Sequence, residues 1–235
     1  MVSRQHLEHS VIGLALLMPL TGPARADMTL VRRAVYDNPR SKALGLPSVL
    51  ENKILISGGK TRVEEPPLYF IEDTENGRSL LLDSARRIAL VTRYTAPQPR
   101  AGAEKTICEA TSEVKTFLGH RCRRYRLSQT SKSPQIGDIV ADVYVAQDLP
   151  VVDVFSASRG PAWMLHEGFQ GLPGMPLQMT MTQTRLGAGK VVTGVMIVSL
   201  SVSAVPASAF AAPNGYQIVA PPPPPKPPRT GGSAP

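Results

Sequence analysis

The chain contains few of the residues on which most enzyme active sites are built. Its 235 residues include two cysteines, four histidines and one tryptophan, and 5% are aromatic. Only His120 and His166 among the histidines lie after residue 26, and neither belongs to a recognisable catalytic set. Ser112 and Lys115 match an SxxK motif, but its companion motifs SDN and KTG are missing. We therefore predict no catalytic residue and no cofactor, and we expect a protein that is not an enzyme.

A phosphate-binding loop is missing as well, although GGKT at 58–61 looks like the end of one. The motif GxxxxGK[ST] would need a glycine in place of Ile54 and a helix after the loop. The sequence TRVEEPP follows instead, and it does not start a helix. Gly-Gly favours the two-residue turn of a hairpin because glycine tolerates positive φ. The stretch therefore predicts a turn between two strands.

Long apolar runs are also absent. Val11–Leu20 is an apolar run of ten residues, whereas a membrane-spanning helix takes about 20. Arg4 precedes the run, and Ala24-Arg25-Ala26 follows it with small residues at both ends of the triplet. This pattern is typical of a secretory signal peptide over residues 1–26, cut near Ala26. It predicts a periplasmic or secreted protein.

The C-terminus lacks the residues for regular structure. Proline fills eight of the last fifteen positions, and proline disrupts both helix interiors and sheet ladders. We predict a disordered, proline-rich tail over residues 220–235, extended enough to reach a partner through Lys226 and Arg229. Residues 27–219 are sufficient for a single β-rich domain with its own core.

Acidic residues are outnumbered by basic ones, and the formal net charge is +8. Without residues 1–26, which hold Arg4, Arg25 and Glu8, it is +7. A basic surface favours anionic partners, such as an anionic membrane surface or acidic envelope polymers, and it serves solubility equally well. Because the protein is expected to be exported, we do not expect nucleic acid as a partner.

The two cysteines allow one intramolecular pairing. Cys108 and Cys122 are expected to form a disulfide in an oxidising compartment, with a stabilisation of about 3 kcal/mol for a loop of this length. The alternative is a metal site that adds His120 and His166 to the two thiols. Neither CxxC nor HExxH spacing is present, so we predict no metal site.

The hydrophobic pattern has a period of two rather than 3.6, which indicates strands with one buried face. The predicted strands lie at 28–37, 48–57, 60–65, 68–73, 79–83, 87–94, 120–128, 139–148, 177–186 and 191–205. Helical signal is confined to short pieces near 39–44 and 156–164. The predicted fold class is therefore mostly β and largely antiparallel, with one or two short helices.

Alternation also predicts which side chains point inward. In segment 177–186 these are Leu177, Met179 and Met181. In segment 191–205 they are Met196, Val198, Leu200, Val202 and Ala204, with serines outward.

Six segments follow one another in an informative order. KILISGGKTRVEE and YFIEDTENGRSLLLDSARRIALVTRY come first. KTFLGHRCRRYRL then carries a Gly-x-x-Cys-x-x-Tyr pattern at Gly119, Cys122 and Tyr125, and DVYVAQDLP, GFQGLPGMPLQMT and VPASAFAAPNGYQIV complete the series. Together they resemble a family of exported bacterial proteins of unassigned function, which is related in outline to the periplasmic lipoprotein carriers LolA and LolB. The resemblance covers nearly all of residues 28–219.

The resemblance implies a curved antiparallel sheet, an incomplete LolA/LolB-like half-barrel whose concave face is partly covered by helix or loop. In the carriers that face holds acyl chains, so the resemblance implies an apolar or lipid-like ligand. It transfers no catalytic residue. The chain departs from the family in two respects. Its N-terminal half contains little helix, and it ends in a proline-rich tail.

Methionine is concentrated between residues 164 and 196, and its soft side chain adapts to irregular ligands. The candidate cavity-lining residues are Trp163, Met164, Phe169, Leu172, Met175, Met179, Met181 and Met196. The alternative is an ordinary core that these side chains fill.

Four arginines lie on the predicted strand HRCRRYRL. Arg124 and Arg126 share one face, and Arg121 and Arg123 share the other. They are candidates for an anion-binding rim that meets lipid headgroups. The alternative is a solvated edge strand that its charges protect from aggregation.

These observations favour a non-enzymatic periplasmic binding protein for an apolar or lipid-like ligand. The alternative is a structural or interaction module of the cell envelope with a dry core. Such a module would capture a protein partner through its basic surface and its proline-rich tail. A lipid that copurifies with the protein would distinguish the two hypotheses.

Overall fold

The computed structural model describes residues 27–37, 43, 48–93, 105–130, 137–152, 154–155, 165–185 and 189–220. The predicted signal peptide and the tail beyond residue 220 lie outside the described residues. So do Trp163, Met164 and, apart from Ala43, the two predicted helical pieces.

The described residues form one open, curved sheet of twelve strands. The strands are β1 (Met28–Asp37), β2 (Val49–Ser57), β3 (Lys60–Glu65), β4 (Leu68–Asp73), β5 (Arg78–Asp83), β6 (Ile88–Arg93), β7 (Ile107–Phe117), β8 (His120–Gln129), β9 (Ile139–Ala146), β10 (Met175–Arg185), β11 (Gly189–Val202) and β12 (Gln217–Val219). A short helix, α1 (His166–Gln170), and a 3-10 turn (Ala207–Phe210) accompany them. The ten predicted strands are confirmed, and so is the mostly β fold class with an open, curved sheet.

The sheet consists of two meanders joined by the first strand. Its spatial order is β12-β6-β5-β4-β3-β2-β1-β11-β10-β9-β8-β7. Strand β1 pairs with β2 from Met28 to Val35 and with β11 from Met28 to Asp37, antiparallel in both cases. Because β1 has a neighbour on each side, its backbone N–H and C=O groups are satisfied within the sheet.

Two strands, β7 and β12, were not predicted. Strand β7 lies at one edge of the sheet and exposes most of its side chains, so its sequence shows no clear alternation. A bulge also interrupts it, because Ala110 pairs with Tyr125 and Val114 pairs with Arg123, which leaves three residues opposite Arg124. Strand β12 has only three residues and lies parallel to β6.

The GGKT stretch is the hairpin turn that the sequence predicts. Ser57 pairs with Lys60 across the two glycines, and Gly58 has a φ of 56°. Thr74, in the turn between β4 and β5, stabilises the GGKT turn. Its backbone N–H and its hydroxyl both donate to the carbonyl oxygen of Gly59, at 3.0 Å and 2.8 Å. Strand β3 follows the turn where a phosphate-binding loop would have a helix.

The two faces of the sheet bury different side chains. We call the face that carries Leu30, Ile54 and Met179 the inner face and the opposite one the outer face. The larger apolar core lies on the inner face and draws most of its side chains from β1, β2 and β8–β11. A covering segment, residues 154–155 and 165–172, packs against this core, as the resemblance implies.

The first part of strand β11 is turned the other way from our prediction, whereas Leu200 and Val202 pair with Leu30 and Met28 and so lie on the inner face as predicted. The register shift between Val31 and Arg32 separates the two parts. Val195 and Ile197 are buried on the inner face, whereas Met196 is half-buried on the outer face. The prediction is wrong because VVTGVMIV is apolar at both parities, so alternation cannot fix its face. The register with β10 does so, since it places Val195 opposite the buried Met179.

The outer face of β2–β6 has a second core. Its sheet residues are Leu55, Ile71, Leu80, Leu82 and Ala89. The chain that follows β11 covers them through Val205 and Phe210. Arg62 fastens this cover, because its Nη1 donates to the carbonyl oxygen of Ala209 at 2.8 Å, and its guanidinium lies over the ring of Tyr69. The outer face of this half of the sheet is therefore closed.

The predicted disulfide between Cys108 and Cys122 is wrong. Cys108 pairs with Leu127 on β8, and Cys122 lies five residues before Leu127, ~17 Å along the strand. Cys122 also lies on the opposite face from Leu127, since five is an odd number of residues. A disulfide needs Cα atoms within about 7 Å. Both thiols are free, and burial raises the pKa of Cys122 to about 11.

Both cysteines should therefore be modifiable without reduction. Iodoacetamide applied in denaturant, with no reductant, should add two carbamidomethyl groups to the intact chain, as read by mass spectrometry. In the native protein the exposed Cys108 should react and the buried Cys122 should not. A chain that takes up the reagent only after reduction would contradict this register.

Gly174→Ala should destabilise the fold. A Cβ at this position would clash with the carbonyl oxygen of Ala146 and lie 2.9 Å from the Cα of Gln147. Overpacking against backbone costs about 1–3 kcal/mol, or a fall in Tm of roughly 3–10 °C for a domain of this size. Gly194→Ala on β11 is the matched control, because no atom lies within 4 Å of its Cβ position. Equal Tm values for the two variants would contradict the close approach at Gly174.

Candidate functional site

The half of the inner face formed by β8–β10 holds most of the predicted cavity-lining residues. Five of the eight come together there: Phe169, Leu172, Met175, Met179 and Met181. Each is at most 3% exposed, and all belong to one packed core. Met196 lies apart on the outer face, and Trp163 and Met164 are outside the described residues. These five side chains are therefore buried within one apolar core.

A buried arginine lies between this core and the inner face of the other half of the sheet. Arg32 on β1 is 3% exposed. It donates from Nη1 to the carbonyl oxygen of Val154 at 3.1 Å and from Nη2 to Oδ1 of Asn52 at 2.9 Å. Oε1 of Glu65 lies 3.8 Å from Nη2. A guanidinium taken out of water is costly unless such partners surround it. These contacts therefore hold the covering segment against β1 and β2.

A stripe of apolar side chains crosses the inner face of the other half. Cross-strand neighbours from β1 to β6 form it in the order Leu30, Ile54, Val63, Phe70, Leu81 and Leu90. We call these six residues the inner stripe. The first three are at most 2% exposed, whereas the last three are only half-buried. The stripe therefore begins in the core and becomes accessible on β4–β6.

A mixed row and a polar row flank the half-buried part of the inner stripe. The row on one side consists of Glu65, Leu68, Asp83 and Ile88. The row on the other side consists of Thr61, Glu72, Ser79 and Thr92. Half-buried apolar side chains between two such rows make an amphipathic surface. It suits a ligand that has an apolar body and a polar group at its margin.

Sequence reasoning overlooked this surface, although β4–β6 carried a signal for it. LYFIED, RSLLLD and IALVTR have apolar residues at both parities. One parity, with Ile71 and Leu82, fills the outer core, and the other, with Phe70 and Leu81, forms the inner stripe. A strand that is apolar on both sides needs a second cover, and among the described residues only the outer cover of β4–β6 is complete.

The four arginines of β8 are divided between the two faces of the sheet. They alternate as predicted, with Arg124 and Arg126 on the outer face and Arg121 and Arg123 on the other. Arg124 and Arg126 are each ion-paired to carboxylates. Arg123 donates from Nε to the backbone oxygen of Thr111 in the β7 bulge at 2.8 Å. Most of this positive charge is therefore engaged in binding β7 and β9 to β8.

Glu113 is the centre of the ionic network on the outer face. The β7 bulge carries it towards β8, where it accepts from Arg124 and from the hydroxyl of Tyr144, each at 2.6 Å. Hydrogen bonds from Tyr144, Arg124 and Lys115 lower the pKa of Glu113 to about 2. Arg124 continues the network to Asp142 at 2.7 Å. The network therefore ties three neighbouring strands together at the edge of the sheet.

The side chains that a metal would need are dispersed. Within the described part of the chain, no three His, Cys, Asp or Glu side chains are placed to hold a metal ion. His120 instead contacts Asp148, with Nδ1 2.8 Å from Oδ2, and this hydrogen bond lowers the pKa of Asp148. In the same residues, no helix has the length and apolar character to cross a membrane.

Comparison with known proteins finds similar structures but no similar sequences. No family model and no curated protein matches the chain. PNGF-II shares 12% identity and a TM-score of 0.36, over 83% of this chain but only 31% of its own. A LolA superfamily protein from Nitrosomonas europaea shares 8% identity and a TM-score of 0.35, over 80% of this chain and 90% of its own.

An outer membrane lipoprotein-sorting protein domain from Vibrio parahaemolyticus shares 12% identity and a TM-score of 0.31, over 80% of this chain and 90% of its own. One of these three neighbours thus carries the LolA description that the sequence resemblance led us to expect, and another carries a lipoprotein-sorting description. At these identities and TM-scores we carry no function over from them.

Glu113→Gln should change how stability depends on pH. The pKa of Glu113 is about 2 in the folded protein and near the ordinary value of 4.5 for a glutamate when the chain is unfolded. Its contacts therefore stabilise the fold above about pH 4.5, and the stabilisation is lost as the pH falls towards 2. The variant should have a lower Tm than the wild type at pH 6, and the two values should converge near pH 2.5.

Thermal unfolding followed by circular dichroism from pH 6 to pH 2.5 measures this convergence. Glu109→Gln is the control, since Glu109 is an exposed residue of the same strand. A Tm difference between Glu113→Gln and the wild type that is constant over this range would show that the carboxylate charge contributes nothing.

Proposed function

We propose that the protein is a non-enzymatic periplasmic binding protein that holds an apolar or lipid-like ligand on the inner face of β4–β6. One observation carries this proposal: Phe70, Leu81 and Leu90 are only half-buried on the inner face, between two rows that contain polar side chains. Contiguous apolar side chains in contact with water are typical of binding surfaces. A ligand that covers them gains about 25 cal/mol for each Å² of apolar area removed from water.

The proposed site lies beside the packed core rather than inside it. From Phe70 to Leu90 the inner stripe crosses two strand spacings, about 10 Å. Towards β1 the stripe is buried, and Arg32 holds the covering segment there through Val154. The ligand therefore approaches across β4–β6, and the covering segment limits how far it extends towards β1.

A second candidate function is an interaction module of the cell envelope with a dry core. The observation that favours it is the burial of Phe169, Leu172, Met175, Met179 and Met181, which leaves no exposed methionine surface on β10. Under this alternative the inner stripe is a contact surface for a protein partner.

A neutral apolar probe tests the first proposal. N-Phenyl-1-naphthylamine fluoresces more strongly when it leaves water, so its dissociation constant can be read by titration. Leu81→Gln should weaken binding about tenfold, because full contact with a leucine side chain is worth roughly 1.5–3 kcal/mol. Val35→Gln is the control, since Val35 is 44% exposed on the outer face. Failure of the wild type to bind, or equal binding by both variants, would overturn the site.

Native mass spectrometry separates the two candidate functions. Protein purified from the periplasm should carry a discrete bound mass that is released by organic extraction and identified as an apolar or lipid-like compound. An apo mass, together with no uptake of the naphthylamine probe, would favour the interaction module and direct attention to protein partners.

A further inference from the structure

Charge is divided between the two faces of β2–β6. The basic residues of these strands lie on the outer face: Lys53, Lys60, Arg62, Arg78 and Arg93. The acidic residues of the outer face are Glu51, Glu64 and Asp73. The inner face of the same five strands carries the carboxylates of Glu65, Glu72 and Asp83 and no basic side chain.

The inner carboxylates border the accessible part of the inner stripe. Glu65 and Asp83 both pair with Leu68, on opposite sides of it, and lie in the same flanking row. Asp83 is two residues from Leu81, ~7 Å along β5. Glu72 lies in the other flanking row, two residues from Phe70. A ligand that covers the stripe therefore has acidic side chains at both margins.

The basic groups nearest to these margins neutralise them only in part. Arg32 is buried, and its Nη2 is 3.8 Å from Oε1 of Glu65. Arg86 is 78% exposed, and its Nε is 3.8 Å from Oδ2 of Asp83. The pair of Asp83 with Arg86 is both long and exposed, and such a pair contributes little. Asp83 thus keeps the capacity to contact a cation on the ligand, whereas Glu65 shares its charge with the buried Arg32.

We propose that the ligand of this site carries a cationic group beside its apolar part, in the manner of a protonated amine on a hydrocarbon chain. This inference rests on the proposed function and narrows its ligand class. The hydrocarbon covers Phe70, Leu81 and Leu90, and the ammonium group lies in the row that holds Glu65 and Asp83. The net charge of +8 predicts the opposite preference, for anions.

Three competitors with the same dodecyl chain test the charge preference. Dodecylamine is a cation at pH 7, dodecanoic acid is an anion and dodecanol is neutral. Each is added below its aggregation concentration to displace N-phenyl-1-naphthylamine from the full exported chain at low salt. Dodecylamine should displace the probe at an about tenfold lower concentration than dodecanoate, with dodecanol between them. In 0.5 M NaCl the advantage should shrink, because screening weakens exposed pairs.

Variants that neutralise one carboxylate each show which side chains produce the preference for a cation. Asp83→Asn retains the Oδ1 acceptor that the backbone N–H of Arg86 uses at 3.0 Å, so its turn should persist. It should reduce the dodecylamine advantage about threefold, and Glu65→Gln should do the same. Glu64→Gln is the matched control, because Glu64 is the adjacent residue but pairs with Arg62 on the outer face. Glu65→Gln also removes the contact of Glu65 with Arg32 and could unfold for that reason. If it does, Asp83→Asn alone tests the preference for a cation.

The outcomes separate this inference from the function on which it rests. If dodecanoate displaces the probe as well as dodecylamine, or if Asp83→Asn retains the full advantage, the cationic ligand is overturned while the apolar site stands. If the probe does not bind the wild type, the proposed function fails and the ligand class fails with it. A cation advantage that falls in Asp83→Asn but not in Glu64→Gln supports both.

Discussion

The antiparallel pairing of β1 with β11 is the contact on which the rest of the structure depends. It joins a strand that begins at Met28 to one that ends at Val202, and so combines two meanders into one sheet. Without it, each meander would present an open edge where the sheet now has its centre. Closing so long a segment of chain is entropically unfavourable. Burial of Met28, Leu30 and Ala34 at this seam offsets it.

The two halves of the sheet are covered on different faces, and this difference creates the candidate site. On β8–β10 the covering segment completes the inner core, whereas on β2–β6 the chain after β11 completes the outer core. Strands β4–β6 are apolar at both parities, and in the part of the chain that the structure describes they have a complete cover only on the outer face. Phe70 and Leu81 are consequently left half-buried on the inner face. The accessible apolar surface is a result of where the covers end rather than of any single residue.

Local patterns in the sequence predict the strands well because most strands here have one polar face. The prediction is incomplete where that condition fails. Strand β7 exposes nearly all of its side chains, so alternation could not find it. The first part of β11 is apolar at both parities, so alternation could not orient it. The disulfide failed for a related reason, since the short spacing of Cys108 and Cys122 allowed a bond but could not give the register of the two strands on which they lie. The position of the site depends on long-range contacts such as Arg32 with Val154, which no local pattern encodes.

The same alternation explains why net charge is a poor guide to what this protein binds. Neighbouring residues of a strand face opposite sides of the sheet, so Glu64 pairs with Arg62 on the outer face while Glu65 borders the inner stripe. A shift of one residue in β3 would exchange these environments. The excess of lysine and arginine governs long-range attraction of anions to the whole molecule. Selection at the inner stripe is instead set by the few side chains within contact distance, and among these Glu65 and Asp83 are acidic. Attraction to the protein and selection by the site therefore favour charges of opposite sign.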